Sequence, residues 1–306
     1  MFPAAFHVVF DHGNRHFPQV ACRGKQIATA IAFARQSDLV LFCLFSCGYG
    51  WDYCQEHWCS RPALQHVACN NNGSLGAKCK SGARLIPISA DMQQFIVRQV
   101  NLYRNQVASA ERMATVQWDP ELANLAEFAV KQCHLATDNC RNTRRFKRVG
   151  QIVGHVIFSA NRFSQRQLIG HKIYNWFNQY KKATAGLGLG LRKDITSFRQ
   201  LIQERATYMG CGFLQQQRHR WQQQFIVCNF ARENVHHEPA YAIGHKAAAG
   251  CQKGTNPQFP NLCAVEEPFD VNAVDRYVPK PTLLIKMKYS EDGMESIAAK
   301  SRPKRA

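Results

Sequence analysis

The sequence has few acidic residues and lacks the signatures of several well-known enzyme and metal-protein classes. It contains 21 Asp and Glu against 39 Lys and Arg, which gives a formal net charge of +18. No GxSxG or HExxH segment is present, so the sequence does not predict an α/β-hydrolase or a zincin. No CxxC pair or His/Cys cluster has zinc-finger spacing. The glycines of 186–190 alternate with leucine and lack the Lys-Ser/Thr ending of a phosphate-binding loop, so we interpret that segment as a flexible connection.

Long apolar runs are also missing, which argues against a transmembrane protein. The nine residues 39–47 (LVLFCLFSC) have the length of the apolar region of a signal peptide. We therefore expect residues 1–50 to be a leader that is cleaved near Gly50, and the chain to be secreted. A short buried strand would have the same composition, which leaves that alternative open. Residues 1–37 are either an extended leader or an artefact of the reading frame.

Thirteen cysteines are too many for an ordinary reduced cytosolic protein, and they favour an oxidising, extracellular location. Three lie within residues 1–50, whereas the ten that follow are an even number and can pair completely. Without residues 1–50 the chain keeps 35 basic and 19 acidic residues. Such an excess favours anionic partners, although a solvated surface is the simpler interpretation. Export argues against nucleic acid.

Three segments supply much of the positive charge: 141–148, 218–220 and 300–305. The first of them is our candidate anion-binding cluster, and it consists of Arg141, Arg144, Arg145, Lys147 and Arg148.

Periodicity predicts helices and strands that alternate after residue 90. A helix with Ile96, Val100 and Tyr103 on its apolar face follows the possible cap Ser89. A second helix begins at Asp119-Pro120 and ends near Cys133, and a third covers about 164–182. Short β-rich segments are predicted at 197–204, 207–213 and 224–231, of which the last two form a hairpin.

Several motifs follow one another between residues 51 and 263: HVACNNNG at 66–73, NLYRNQVA at 101–108, QWDPELANLAEFAVKQC at 117–133, DNCRNTRRF at 138–146, QERATYMGCG at 203–212, FIVCNFARENV at 225–235 and GTNPQFPNLC at 254–263. Their order resembles the antigen 5 branch of the CAP superfamily, particularly its insect members. Each motif alone is weak evidence, whereas their order over more than 200 residues is specific.

This resemblance implies an α+β fold, a three-layer α-β-α sandwich with a mostly antiparallel sheet and many disulfides. It also implies a cysteine-rich segment over 51–90, a CAP domain over 91–243, and a tail over 244–306 with a basic C-terminus. The implied disulfide pairs are Cys54–Cys69, Cys59–Cys140, Cys79–Cys133, Cys211–Cys228 and Cys251–Cys263. Sequence spacing alone leaves the connectivity open.

The family's cleft usually holds two histidines and two acidic residues, which bind a divalent metal in some members. The corresponding positions here are Thr137, Gln151, Gln179 and Ser197. Neutral hydroxyls and carboxamides are poor zinc ligands, so we predict no metal and no other cofactor. A substitute site built from His134, His155, His171 and Glu204 has no paired ligand spacing to support it.

Without a titratable group, the cleft offers no general acid or base, and we expect the protein not to be an enzyme; peptidase activity is the less favoured alternative. The resemblance implies a secreted binding protein that contacts an extracellular protein. Alternatives are the binding of lipid or sterol and adhesion to anionic polysaccharide. Asn72-Gly73-Ser74 is a possible glycosylation site.

Overall fold

The structure is a computed structural model of the chain. It describes residues 52–59, 64–160, 162–184, 195–235 and 239–273, together with a few short strands outside these ranges. The chain divides into two compact units, Met1–Asp52 and Tyr53–Ala306. Strands β1 (Ala21–Cys22), β2 (Gln26–Thr29) and β3 (Ser46–Gly48) form an antiparallel sheet in the first unit. The predicted leader otherwise lies outside the described residues, as do the glycine segment 186–190 and the basic segment 300–305.

The described part of the second unit contains five helices and a five-stranded sheet. The helices are α1 (Ala90–Arg104), α2 (Pro120–Val130), α3 (Gln165–Phe177), α4 (Tyr180–Thr184) and α5 (Thr196–Leu201). The sheet consists of β4 (Arg84–Leu85), β5 (Gln117–Trp118), β6 (Gly150–Phe158), β7 (Tyr208–Arg218) and β8 (Trp221–Phe230). A single-turn 3-10 helix covers Glu56–Trp58, and β9 (Lys286–Met287) pairs with β10 (Ile297–Ala298).

The sheet order is β4-β7-β8-β6, and every neighbouring pair in it is antiparallel. The short β5 lies off this path and runs parallel to β7. Alternate side chains of the central strands enter two different apolar clusters. Phe213 and Ile226 pack with α1, α3 and α5, whereas Leu214 and Val227 pack with α2. The fold is therefore α+β with helices on both faces of a mostly antiparallel sheet, as predicted.

The first residues of the predicted helices match local hydrogen-bonding signals. Ser89 accepts a hydrogen bond from Met92 N at the start of α1, and Asp119 accepts one from Leu122 N (2.8 Å) at the start of α2. Ser164 and Gln167 form a capping box at the start of α3. The third predicted helix is shorter than expected, since α3 ends at Phe177 and α4 begins at Tyr180.

One strand prediction is wrong, and one strand was not predicted. Residues 197–204, predicted to be β-rich, instead form most of α5 and the turn after it, because Phe198, Leu201 and Ile202 all pack into the larger apolar cluster. Strand β6 was not predicted. Its burial alternates, but Gly150 and Gly154 lie on the buried face and the apolar Val153 and Ile157 on the more exposed one. The sequence therefore lacks the regular apolar–polar alternation of a half-exposed strand. None of the helices in the described ranges has the length and apolarity needed to cross a bilayer.

Candidate functional site

The first two predicted cleft positions, Thr137 and Gln151, lie beside one hydrogen-bonded network. Thr137 is exposed and precedes Asp138. The side-chain amide of Gln151 donates to Asp138 Oδ2 (2.6 Å) and to Asn229 Oδ1 (3.0 Å), and its oxygen accepts from Asp138 N (3.0 Å). The other carboxylate oxygen of Asp138 is paired with Arg141. Both N–H groups of Gln151 are thus committed to holding the loop before β6 in place.

The other two positions, Gln179 and Ser197, lie at the start of α5. Gln179 follows α3 and accepts a hydrogen bond from Phe198 N (3.0 Å) through Oε1. Ile195 occupies the N-cap of α5 and provides no side-chain acceptor. The first N–H groups of a helix have no partner within the helix. Gln179 therefore provides, from outside the helix, the acceptor for Phe198 N that the side chain of Ile195 cannot provide. Ser197 is half-buried in this first turn.

These four positions do not fit a zinc ion. Two are hydroxyls, and the two carboxamides are already hydrogen-bonded to the backbone or to neighbouring side chains. The nearby carboxylate of Asp138 is neutralised by Arg141. Zinc sites in proteins use imidazole, thiolate or available carboxylate. Within the described ranges, no group of three or more His, Cys, Asp or Glu residues is arranged to hold a metal.

The four residues of the possible substitute site have separate partners. His134 accepts from Ala136 N (3.1 Å), and His171 lies beside Asn175 on α3 (3.3 Å). Glu204 accepts from Ala242 N (2.7 Å). His155 lies on β6, where burial together with the charges of Lys172 and Arg218 lowers its pKa. The structure does not bring these residues together as ligands.

Acidic partners engage much of the candidate anion-binding cluster. Arg141 pairs with Asp138, Arg145 with Asp119 (2.6 Å) and Arg148 with Glu233 (3.1 Å). Arg145 also lies over the rings of Phe146 and Tyr208. Lys147 is exposed, and Arg144 has an interaction of its own. Three of the five side chains therefore help to hold the 138–149 loop, which reduces the charge available to a ligand.

Five disulfides join the same pairs that the family resemblance implies. They are Cys54–Cys69, Cys59–Cys140, Cys79–Cys133, Cys211–Cys228 and Cys251–Cys263. Cys211 and Cys228 are directly opposite in the β7–β8 register. Asn72, the possible glycosylation site, is exposed, and its Oδ1 accepts from Ser74 N (3.0 Å) within a local turn. A glycan at Asn72 would therefore point into solvent.

A groove of about 510 Å³ lies between α1, β5 and the tail, and no sequence motif pointed to it. Its walls combine apolar side chains such as Val97, Trp118 and Phe259 with carboxamides such as Gln94 and Gln258. Arg98 is the charged residue of this lining. A volume of this size suits a small ligand. The groove depends on residues more than 140 positions apart, so only the folded chain shows it.

Known proteins match the chain in the same region. Residues 97–230 match the profile described as "CAP: Cysteine-rich secretory protein family". Venom allergen-1 of Aedes aegypti is 32% identical over 228 residues, which cover 71% of this chain and 88% of the relative. Venom allergen-1 of Aedes albopictus is 30% identical over 229 residues, with the same coverage of both chains. Tabinhibitin 3 of Tabanus yao is 30% identical over 245 residues, covering 75% of this chain and 93% of the relative.

Proposed function

Because the chain belongs to the CAP, or cysteine-rich secretory protein, family, we propose that it is a secreted, non-catalytic binding protein that acts through contacts with another extracellular protein. The family description and the five disulfides both support secretion. The signal-like run at 39–47 supports it further.

The observation that carries the non-catalytic part of the proposal is the engagement of Gln151 and Gln179. Both carboxamides serve local structure, one in the loop before β6 and the other at the start of α5. Neither can exchange a proton near neutral pH, and the same holds for Thr137 and Ser197. The cleft thus contributes to the fold and leaves recognition to other surfaces.

Two measurements test the absence of catalysis and metal binding. Equilibrium dialysis of the purified protein against micromolar zinc should leave less than one tightly held ion per chain. Incubation with a peptide library at neutral pH should give no cleavage beyond the buffer blank. Stoichiometric zinc, or cleavage that is lost in Ser197→Ala, would contradict the proposal.

Capture from extracellular fluid tests the protein-contact part. The secreted product of the full chain is immobilised and its bound proteins are identified by mass spectrometry. The control is the same product after reduction and alkylation, which has a similar charge but lacks the fold. We expect a protein retained by the folded form alone. Equal retention by both forms would show that the charge, rather than a folded surface, causes the binding.

The groove beside α1 favours lipid or sterol binding as a second candidate function. Val265 is exposed at its wall, so Val265→Glu places a charge there with little disturbance of the core. Ile243→Glu is the matched control, since Ile243 is exposed and lies outside the groove. Binding of a labelled fatty acid or cholesterol that is lost in the first variant and kept in the second would support this function. No binding by the unmodified protein would eliminate it.

A further inference from the structure

The strands of the central sheet contain no acidic residue. The sequence has none in 57–90, in 139–193 or in 205–232. These three stretches include β4, β6, β7 and β8, and β5 is Gln117–Trp118. Among the described residues of the second unit, carboxylates are therefore supplied by helices and loops. At the end of the sheet where β7 turns into β8, the basic residues therefore have no acidic neighbour on either strand.

The turn between β7 and β8 projects into solvent. All residues from Gln217 to Trp221 are exposed, and Arg218 pairs with Trp221 across the hairpin. Neither Arg218 nor Arg220 has an ion pair with any carboxylate of the described residues. The segment before β4 adds charge beside this hairpin, because Lys80 N bonds to Gln216 and Gln217 N bonds to Ser81 O.

Large apolar side chains are exposed at the same end. Trp221 is 39% exposed, and the guanidinium of Arg220 lies over its ring, 5.3 Å from the ring centre. Ile157, 45% exposed, lies near the end of β6 and pairs with Gln223 of β8. These two residues occupy the same face of the sheet, since side chains alternate along each strand.

The turn from β6 into α3 adds a second arginine–aromatic pair. Phe163 is 45% exposed, and the guanidinium of Arg162 lies 5.5 Å from its ring centre. Gln224 of β8 faces the opposite side of the sheet from Trp221 and donates to Gln165 at the start of α3 (2.7 Å), so this turn flanks the same end of the sheet from its other face. The nearest acid on α1, Asp91, is already paired with Arg166.

We propose that this end of the sheet docks on a lipid bilayer that contains anionic headgroups. The surface, here called the sheet-end patch, consists of Ile157, Arg162, Phe163, Arg218, Arg220 and Trp221. Its arginines would bind phosphate and carboxylate groups of the lipids, while the aromatic rings would enter the interfacial region where tryptophan is favoured. The inference does not depend on the protein-contact function proposed above.

The apolar residues distinguish a lipid surface from a sulfated polysaccharide. A polysaccharide chain presents sulfate and hydroxyl groups, so it would need the arginines but gain little from Ile157 or Phe163. A bilayer interface uses both, because it combines an anionic surface with an apolar layer just below. Exposed apolar groups next to cations that form no ion pair within the described part of the chain therefore favour the bilayer.

Vesicle binding by the full chain tests the proposal. Cosedimentation is measured with vesicles of phosphatidylcholine alone and with vesicles that contain 30% phosphatidylserine (roughly the anionic content that creates a strong surface potential). We expect binding to the second kind alone. The double variant Arg218→Gln/Arg220→Gln should lower the partition coefficient roughly 10- to 30-fold, and Trp221→Ala should lower it about fivefold or more.

Matched variants separate the patch from the overall charge of the protein. Lys246→Gln/Lys253→Gln removes the same two charges from exposed positions in the tail, and Leu102→Ala removes an exposed apolar side chain from α1. Both should bind vesicles as the unmodified protein does. Equal losses in the two double variants would overturn the proposal. So would equal binding to both kinds of vesicle, or retention on heparin without vesicle binding, which would assign the patch to polysaccharide.

Discussion

Asn101 of α1 and Val116, the residue before β5, are joined by two hydrogen bonds in a buried position. The side-chain amide of Asn101 donates to Val116 O (2.9 Å), and its oxygen accepts from Val116 N (2.8 Å). Asn101 is 2% exposed. The carboxamide therefore imitates a neighbouring strand and satisfies both backbone groups of Val116, which orients β5 against α1.

Replacing this carboxamide should destabilise the fold. In Asn101→Ala the N–H and C=O of Val116 stay buried without partners, so the free energy of unfolding should fall by about 2–4 kcal/mol. Denaturation by urea measures it. Gln94→Ala is the control, because Gln94 is exposed on the same helix, and it should change stability by less than about 0.5 kcal/mol. A loss in Asn101→Ala no larger than the control would contradict this role.

Arg104, at the end of α1, should be a second essential anchor. Its guanidinium is fully buried and donates to the carbonyls of Ala114, Leu201, Gln203 and Glu204. Burial lowers the pKa of Arg104 to about 9, so it stays charged at neutral pH. Arg104→Met should cost about 3 kcal/mol or more, since these carbonyls lose their donors. Arg98→Met, at an exposed position of the same helix, should cost far less; similar urea midpoints for both variants would refute the anchor.

Local signals predicted the helices well, whereas distant contacts decided the elements that were mistaken. Ser89, Asp119 and Ser164 act as caps within the segments that they begin, so their positions could be inferred from the sequence. Helix α5 has no such cap. Gln179 and Arg104 hold its two ends from elsewhere in the chain, and no local pattern can show them.

The candidate site shows the same division. The choice of Thr137, Gln151, Gln179 and Ser197 as the cleft positions follows from the order of the motifs, and it stays a prediction. Their hydrogen bonds could not be predicted from the sequence, because Gln151 bonds to Asn229, which is 78 positions away. The sequence also does not show that Arg145 pairs with Asp119 and Arg148 with Glu233. The predicted anion-binding cluster in 141–148 therefore has less unpaired positive charge than the sequence suggests.

His66 should make the protein less stable in mild acid. Its Nδ1 accepts from Ala68 N (3.1 Å), so Nε2 carries the proton toward Asn142 O (2.9 Å), and the ring stacks on Tyr53. Burial lowers the pKa of His66 below its ordinary value of 6.5, and Arg141 lowers it further, against the effects of Asn142 O and Asp138. Above about pH 6.5 the ring is neutral in both the folded and the unfolded chain, so protonation of His66 does not lower the free energy of unfolding.

Below that pH the unfolded chain takes up the proton first, so the free energy of unfolding falls until the pH reaches the lower, folded pKa. Urea denaturation between pH 7 and pH 5 measures the slope. In His66→Gln the contribution of His66 to the fall of the unfolding free energy with pH should vanish. In His245→Gln, a change at an exposed position, that contribution should remain. An unchanged slope in His66→Gln would show that other groups cause the dependence.

Two glycines of β7 should be irreplaceable because α2 packs directly on the strand. A Cβ at Gly210 would lie 2.2 Å from Ala123 N, and one at Gly212 would lie 2.7 Å from the backbone of Ala126. Backbone atoms cannot move aside as a flexible side chain can. Gly210→Ala should therefore lower the free energy of unfolding by about 3 kcal/mol, or prevent folding. Gly170→Ala on α3, where the nearest atom is 3.4 Å away, should be tolerated; equal tolerance of both would mean that α2 can shift.

Glu267 should control the attachment of the tail loop closed by Cys251–Cys263. Its buried carboxylate accepts from Gln252 N (3.0 Å) and Lys253 N (2.8 Å) and pairs with Arg112 (2.6 Å). Burial alone would raise the pKa of Glu267, but the two N–H groups and Arg112 outweigh it and hold the pKa below its usual 4.5. The stabilisation is therefore complete above about pH 4.5 and is lost as the pH falls through the folded pKa.

Glu267→Gln keeps the size of the side chain but removes its charge and one acceptor oxygen, so it should cost about 2 kcal/mol or more at pH 7. Hydrogen exchange should show faster exchange at Gln252 and Lys253, while the central sheet stays protected. Glu266→Gln, a change at the exposed neighbour, provides the control and should leave both exchange rates unchanged. If the two variants exchanged alike, the disulfide rather than the carboxylate would hold the loop. The tail wall of the groove beside α1, which includes Asn256 and Phe259, would then be independent of Glu267.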